Sequence, residues 1–306
     1  MRRFKRKAAP RAGDAVFYTV VVAIFCMLVF VCLYPFYYVA IYSLSNPKSA
    51  IAGVTLLPRD FSLFNYQEVL KLPNIYNAAF ISVMRTVIGA TLTVACCSLF
   101  GFLVTKQKMY FRRFIYRLVI ITMYFNSGLV PWFLTMKMFK LSESFLLYII
   151  PSAVSAYYTV LFKTFMEQLP SSLEESARLD GAGIMTAFTR IIFPLSKPIV
   201  ATIAVFAAVA QWNSWFDNYV LVARSSLKTL QLVLYEALNR ASAIAADVRR
   251  GGSMSSAALR SAATVEITPQ SIRMTITMVV TLPILFIYPL MQRHFIKGIM
   301  LGAIKG

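Results

Sequence analysis

The sequence has few charged residues, and acidic ones are especially scarce: 14% of its 306 residues are charged, with 12 acidic against 31 basic side chains. Hydrophobic residues make up 58%, whereas soluble domains average about 45–50% apolar and roughly 25% charged residues. This composition excludes a disordered chain and argues against an ordinary soluble enzyme. The net charge of +19 lies in clusters between long uncharged runs, as in a membrane protein with basic flanks and not a nucleic-acid-binding groove.

Residues and motifs that carry catalysis or bind metals and nucleotides are also nearly lacking. His294 is the single histidine, which argues against a histidine-based metal site or a Ser/His/Asp triad. Cys26, Cys32, Cys96 and Cys97 lie inside apolar runs without CxxC spacing, so we predict buried free thiols and not ligands or disulfides. No GxxxxGK[ST] motif occurs, so this chain is not expected to bind ATP.

Long uncharged runs predict an all-α, polytopic membrane protein with six transmembrane helices. A helix of about 20 residues crosses a hydrocarbon core of about 30 Å. The runs lack the strict alternation of barrel strands and exceed the length of about 10 residues that such strands have. The predicted spans are Ala15–Pro47, Leu72–Met84 with Thr86–Thr105, Leu118–Met136, Ser144–Phe162, Pro198–Phe216 and Met274–Gln292.

The distribution of basic residues predicts that both termini are cytoplasmic. The N-terminal tail, 1–14, and the 106–117 loop are rich in lysine and arginine, as cytoplasmic segments are. The first apolar run is much longer than the 7–15 residues of a signal-peptide core. The expected organisation is a transmembrane domain over 15–294, an extracellular loop at 217–273 and a cytoplasmic tail at 295–306.

The predicted cytoplasmic loop at 163–197 has strong helix-boundary signals. Ser172 and Glu175 have the spacing of a capping box, and Gly181 is placed to adopt positive φ after the helix. A short helix is therefore predicted from Leu173 to Asp180. A second helix is predicted over Ile184–Ile192, ending before Pro194, and Pro198 then suits the start of the fifth span.

The spacing within this loop resembles a known family. The loop reads Glu175-Ser176-Ala177, three residues, Gly181, nine residues, Ile191, one residue and then Phe193-Pro194. This spacing resembles the EAA loop of bacterial ABC importer permeases. Ser176 and Phe193 depart from the motif, each by a similar residue. Residues 175–182 are similar to the carbohydrate branch, and 292–306 to the ends of maltose-type sugar permeases. The resemblance covers nearly the whole chain and is closest to permeases paired with lipoprotein-type sugar-binding proteins, including those for pectin-derived oligosaccharides.

The resemblance implies a non-catalytic permease subunit in the bacterial cell membrane that moves an oligosaccharide inward by alternating access. The implied partners are a second homologous permease, two ATP-binding subunits that use ATP and Mg²⁺, and an extracellular sugar-binding lipoprotein. No cofactor is implied on this chain, and nucleic acid is not among the partners. The residues implied to couple to the ATPase are Glu174, Glu175, Ser176, Ala177, Asp180, Gly181 and Ala182.

Two other classes remain as alternatives: a secondary transporter and an intramembrane enzyme, neither with an ATPase partner. Both need ionisable groups inside the membrane. The predicted spans contain no Asp, Glu or His that would serve as a coupling or catalytic carboxylate or imidazole. Copurification with an ATPase subunit distinguishes the first class from these two.

Polar and aromatic residues in the spans are candidates for the substrate pathway. Arg85 is predicted either to snorkel to the interface or to contact a sugar. Because Arg85 and Lys137 could bind a carboxylate, both neutral and acidic oligosaccharides remain candidate substrates. The other candidates are predicted either to bind sugar or to form interhelical hydrogen bonds and an interface belt. They are Tyr124, Asn126, Gln211, Trp212, Asn213, Trp215 and Asn218. In the 217–273 loop, a helix over Leu227–Ala246 is predicted, with Thr268-Pro269 beginning the last span. This loop is expected to dock a binding protein or to serve as a linker.

Overall fold

The computed structural model describes residues 12–51, 53–54, 56–125, 127–249 and 268–303. Helices account for most of these residues, and within them no strand forms beyond an isolated bridge between Ser45 and Phe61. The chain divides into two compact units: residues 1–69 with 247–278, and residues 70–246 with 279–306. The all-α prediction is confirmed.

The first unit contains the N-terminal helix and the short helices after it. These are α1 (Ala12–Ser43), α2 (Pro47–Ala50) and α3 (Phe64–Lys71). Residues 16–43 include an 18-residue stretch with a mean hydropathy of 2.9 and no buried side chain, as expected of a lipid-facing helix, whereas Ile41, Tyr42 and Ser43 at the end of α1 are buried. The Asn65 amide donates to the carbonyl oxygens of Ser43 and Ser45 at 2.9 and 2.7 Å, which satisfies carbonyls that the end of α1 leaves unpaired.

The second unit contains α4, a helix of 31 residues, followed by shorter helices. In order, they are α4 (Ile75–Thr105), α5 (Arg112–Tyr124), α6 (Leu129–Met138), a 3₁₀ turn (Phe145–Tyr148), α7 (Ala156–Met166), α8 (Ser172–Leu179), α9 (Ile184–Ala187), a π-helical turn (Phe188–Ile192), α10 (Phe193–Leu195), α11 (Lys197–Asn213), α12 (Phe216–Leu221) and α13 (Leu230–Arg249). The final helix, α14, runs over Pro269–Ala303 and belongs to the first unit up to Met278 and to the second from Val279. Its start is capped as predicted, because the Ser271 amide donates to Thr268 Oγ1 at 3.1 Å.

The core of the second unit lies where α4 meets α7 and α11. Buried side chains from α4, α7, the π-helical turn and α11 form one cluster that includes Phe102, Phe162, Phe188 and Ile203. Gly101 allows α4 to approach α7 closely: a Cβ at this position would lie 2.8 Å from Phe162 Cβ and 3.1 Å from two backbone atoms of α7. This contact fixes α7, and through it the loop that follows.

Three helices of the described chain are long and apolar enough to span a membrane: Val16–Ser43, Ile75–Thr105 and Gln270–Ile287. A fourth span results if Ile184–Leu195 and Lys197–Asn213, which are bent by 81° relative to one another, count together. The predicted count of six spans therefore stays a prediction.

Each of the third and fourth apolar runs is predicted to form one helix, kinked at Pro131 or at Pro151, but the structure interrupts both runs. The third run divides into α5 and α6 at Gly128, whose φ of +77° interrupts the helix. In the fourth run, the 3₁₀ turn is followed by a turn at Pro151 before α7 begins. Proline removes a backbone donor and cannot continue a helix without loss. Interrupted segments are tolerated at membrane depth where protein surrounds them or where they line a cavity.

The four cysteines are free thiols, as predicted, but their burial differs from the prediction. Only Cys97 is buried, and Cys96 is partly exposed. Cys26 and Cys32 are exposed on α1, so the prediction of burial is wrong for them. An apolar sequence context predicts that a residue lies in apolar surroundings, but it does not show whether those surroundings are the protein core or lipid.

Candidate functional site

The loop between α7 and α11 begins with the predicted short helix. The observed helix, α8, covers Ser172–Leu179, within one residue of the prediction at each end. The predicted capping box is wrong: the N-cap is Ser171, and no side chain caps the helix. Ser172 lies already inside the helix, and the amides of Glu174 and Glu175 donate to the Ser171 carbonyl at 3.0 and 3.1 Å.

Glu174 connects α8 to the end of α4. Its carboxylate accepts a hydrogen bond from the Lys106 ammonium and lies 3.8 Å from Arg178. Lys106 follows directly after α4, and its Nζ lies 3.9 Å from the centre of the Phe102 ring. Burial lowers the pKa of Lys106, while the contact with Glu174 acts in the opposite direction. The sequence indicated only that Lys106 belongs to a basic loop, so this connection was missed.

The remaining coupling candidates divide between an inner and an outer face. Ala177 is buried within the chain and so belongs to the inner face of α8. Gly181 has φ of +80°, as predicted, and no atom lies within 4 Å of the Cβ that another residue would add there. Ala182 is half-buried, and its amide donates to the Ala177 carbonyl at 2.8 Å. The exposed candidates are Glu175, Ser176, Asp180 and Gly181.

Apolar side chains accompany the exposed candidates. Leu179 is 89% exposed, and both Ile184 and Met185 are 55% exposed. These three residues flank Gly181 on the α8–α9 segment. A monomeric soluble surface seldom leaves such large apolar side chains together in water, whereas a docking surface does.

The segment after α8 is anchored in the core. The prediction that its second helix ends before Pro194 is wrong, because α9 continues through the π-helical turn into α10, which ends at Leu195. The Phe193 amide donates to the carbonyl of Phe188, a π-type bond that changes the helical register just before the proline. The Phe188 and Phe102 ring centres are 4.9 Å apart, so this loop packs on α4.

A second constellation surrounds Arg85 on α4. Arg85 is 3% exposed, so it does not snorkel to an interface. Its guanidinium forms a two-pronged ion pair with Asp217, at 3.1 Å (Nη1–Oδ1) and 2.5 Å (Nη2–Oδ2), and its Nε donates to Gln211 Oε1 at 3.0 Å. Its Cζ lies 4.6 Å from the centre of the Tyr148 ring. Arg85 is therefore engaged within the chain, and neither predicted role fits it.

Gln211, Trp212 and Asn218 are also structural residues. Gln211 Nε2 donates to Ser152 Oγ at 2.6 Å, and the Trp212 indole donates to the Val280 carbonyl at 3.0 Å. Asn218 is fully buried; its side-chain amide donates to the Tyr148 hydroxyl at 2.5 Å. For these three residues the structure favours interhelical hydrogen bonding over contact with sugar.

Trp215 belongs to an aromatic face that the sequence indicated only in part. Its ring stacks on Tyr235 of α13, with ring centres 4.1 Å apart and an interplanar angle of 19°. Tyr219, which is 54% exposed, packs edge-on against Tyr235 at 5.2 Å. Beside them, the Gln231 amide donates to Asn213 Oδ1 at 3.2 Å. We call Asn213, Trp215, Tyr219, Gln231 and Tyr235 the aromatic–amide face.

The other two predicted pathway residues lie elsewhere. Tyr124, at the end of α5, is 83% exposed, and Asn126 lies outside the described residues. Tyr235 was missed because it lies far from Trp215 in the sequence. The predicted helix that contains it is confirmed, with an observed range of Leu230–Arg249.

The membrane-spanning helices and the α8–α9 loop, which is fixed to the helix core, are those of an ABC importer permease. The family described as "Binding-protein-dependent transport system inner membrane component" matches residues 97–301, and the chain belongs to this family. It is thus a non-catalytic cell-membrane subunit of a transport system whose ATPase is a separate subunit. The family implies no cofactor on this chain.

Particular relatives match over almost the whole chain. The polygalacturonan/rhamnogalacturonan transport system permease protein YtcP of Bacillus subtilis (strain 168) is 32% identical, over 92% of this chain and 95% of its own length. Protein LplC of the same organism is 31% identical, over 89% of both chains. A chain from the crystal structure of a bacterial ABC transporter that imports the acidic polysaccharide alginate has the same fold, with a TM-score of 0.84, 24% identity and coverage of 94% and 100%.

Proposed function

We propose that this chain carries an oligosaccharide derived from a polysaccharide across the membrane, with the α8–α9 segment as its contact to a partner ATPase. The proposed assembly contains a second homologous permease, two ATP-binding subunits that use ATP and Mg²⁺, and an extracellular sugar-binding lipoprotein. Six spans place both termini in the cytoplasm. The 217–273 loop is proposed as the docking surface for the binding protein.

The observation that carries the coupling role is the position of α8 between the helix core and an exposed apolar surface. On one side, Glu174 pairs with Lys106 at the end of α4. On the other side, Leu179 extends outward and is 89% exposed. A force applied to α8 by a partner is therefore transmitted to α4 through an ion pair and through the packing of the following loop. An eight-residue helix is too short to be stable alone in water, where helices below about 12–15 residues are marginal.

Replacing Gly181 with valine is expected to abolish ATP-driven uptake while the protein remains in the membrane. The positive φ at this position costs a residue with a side chain about 1–2 kcal/mol, and more for a β-branched one, so the turn between α8 and α9 changes. The measurements are copurification of the ATPase and uptake by cells. Gly183→Val is the matched control, because Gly183 has φ of −70° and open space around it.

Glu175→Lys provides an independent test of the same surface. Glu175 is exposed in the first turn of α8, where an acid is favourable and a base is not. Normal ATPase copurification and normal uptake in both Gly181→Val and Glu175→Lys would contradict the coupling role.

The aromatic–amide face supports the sugar as substrate. Aromatic rings provide flat apolar surfaces, and the amides of Asn213 and Gln231 offer donors and acceptors beside them. YtcP is named for polygalacturonan and rhamnogalacturonan, and the structural neighbour for alginate. Since Arg85 is already paired with Asp217, an acidic sugar would have to be recognised by other groups.

Trp215→Ala is expected to raise the KM for uptake about 3- to 10-fold, the equivalent of an aromatic contact of about 0.5–1.5 kcal/mol. Trp215→Phe keeps an aromatic ring and is expected to lose less. Uptake is measured with an oligogalacturonide and with a neutral oligosaccharide of equal length. An unchanged KM for both sugars in Trp215→Ala would remove this face from the pathway without affecting the coupling role.

A further inference from the structure

The segment between α4 and α5 divides its cations between two directions. Residues 106–117 contain five basic residues and no acidic one. Lys106 and Arg112 turn inward: Lys106 pairs with Glu174, whereas Arg112 donates from Nε to the Val104 carbonyl at 2.6 Å and lies 3.5 Å from Glu167. Glu174 and Glu167 on the neighbouring helices are thus paired with these two residues, and Glu167 is also paired with Lys163 at 2.7 Å.

The other three cations point away from the protein. Lys108, Arg113 and Arg117 are exposed, and none has an ion-pair partner within the part of the chain that the structure describes. Arg113 and Arg117 are four residues apart on α5 and so lie on the same side of the helix. Three exposed charges of one sign without compensation repel each other and favour an anionic partner.

Exposed aromatic rings lie among these cations. Tyr110 is 88% exposed, Phe111 is 79% exposed and Phe114 is 65% exposed. Phe111 has φ of +55°, a conformation that is costly for a residue with a bulky side chain. The Phe111 carbonyl accepts from the Ile115 amide at 3.0 Å at the start of α5, while the ring itself stays exposed. A binding partner for the ring provides a reason for the strained backbone.

The position of these residues along the chain identifies the partner. The apolar helix α4, which is long enough to span a membrane, ends at Thr105, so the segment that follows it lies where the protein leaves the hydrocarbon. Aromatic rings favour this boundary, and lysine and arginine beside it bind anionic headgroups. An acidic protein surface would pair with the cations, but its charged groups would not bury the three large aromatic rings.

We propose that Lys108, Tyr110, Phe111, Arg113, Phe114 and Arg117 form a binding site for anionic phospholipid. The rings enter the boundary between headgroups and acyl chains, and the three cations contact the phosphate-bearing headgroups. Bound lipid would hold the first turn of α5 at the membrane boundary, next to Lys106, which contacts α8. This assignment rests on membership of the membrane family and not on the identity of the transported sugar.

The test uses the full chain with Phe111→Trp, reconstituted in phosphatidylcholine bilayers that contain brominated phosphatidylglycerol or brominated phosphatidylcholine. Quenching of the introduced indole fluorescence reports which lipid lies at the site, after subtraction of the signal from the parent chain. Half-maximal quenching is expected at a roughly fivefold lower fraction of brominated phosphatidylglycerol than of brominated phosphatidylcholine. This difference corresponds to the free energy of about one headgroup–cation contact. This preference should weaken at high ionic strength.

On the Phe111→Trp background, combined Lys108→Gln, Arg113→Gln and Arg117→Gln should remove the preference while quenching by both lipids persists. The control removes the same charge elsewhere, with Lys137→Gln, Lys140→Gln and Arg224→Gln, and should keep the preference. Equal quenching by the two lipids in the Phe111→Trp chain, or no quenching by either, would overturn the proposal. The second result would show that protein covers the face. Sugar uptake is not part of this measurement, so the proposed transport function is tested separately.

Discussion

Arg85→Met is expected to destabilise the protein by about 3–5 kcal/mol, because it leaves the Asp217 carboxylate without its partner in a largely buried position. The side chains of Arg85 and Asp217 are only 4% and 14% exposed. Asp217 also accepts from the Asn218 amide at 2.9 Å, which does not replace the lost charge. The expected decrease in the thermal unfolding midpoint in detergent is roughly 10 °C.

The double variant Arg85→Met with Asp217→Asn is the control for this expectation. Removing both charges eliminates the unpaired carboxylate, so the double variant should be more stable than Arg85→Met alone. If the two variants were equally unstable, the loss would come from the contacts of Arg85 with Gln211 and with the Ser214 carbonyl and not from the ion pair. A midpoint for Arg85→Met equal to that of the unmodified chain would contradict the structural role.

Gly101→Leu is expected to separate α4 from α7 and to cost about 3 kcal/mol or more. The first added carbon would already lie 2.8 Å from Phe162 Cβ and 3.1 Å from the Lys163 amide nitrogen, and backbone atoms do not move aside as side chains do. Leucine has a higher helix propensity than glycine, by a little under about 1 kcal/mol, so this difference partly offsets the expected loss of stability. The measurement is the unfolding midpoint together with the amount of monodisperse protein after solubilisation.

Ala95→Leu is the matched control for Gly101→Leu, because it enlarges a small residue on the same helix at an exposed position. This variant should keep the midpoint within a few degrees of the unmodified value. A Gly101→Leu protein as stable as Ala95→Leu would show that α7 can shift without loss and that the close approach is not needed for the fold.

Several features were predictable from sequence because they depend on neighbours along the chain. The positive φ of Gly181 and the cap at Thr268 are confirmed, and α8 lies within one residue of its predicted bounds. Helix length, glycine turns and caps are decided within one or two turns of backbone, so local patterns contain the information. The spacing from Glu175 to Pro194 likewise predicted the permease family, which is confirmed.

Local patterns were least reliable where the sequence allows more than one hydrogen-bonding arrangement of the backbone. Ser171 and Ser172 are adjacent, and the capping box chose the wrong one. An apolar run of 19 residues likewise has the length of a transmembrane helix but does not reveal the break at Gly128. In both cases the sequence gives the composition of the segment, and the packing around it decides which hydrogen bonds form.

The sequence by itself thus determined a helical membrane permease and the position of the α8–α9 segment, because apolar run lengths and turn residues act locally. Only the tertiary structure decided what the charged residues do. Arg85 and Asp217 are 132 positions apart, and Lys106 and Glu174 are 68 apart, yet each pair is in contact. A charge inside an apolar chain must find a partner, and the one it finds depends on which helices pack together. That packing gave Arg85, predicted to snorkel or to contact a sugar, a buried ion pair with Asp217.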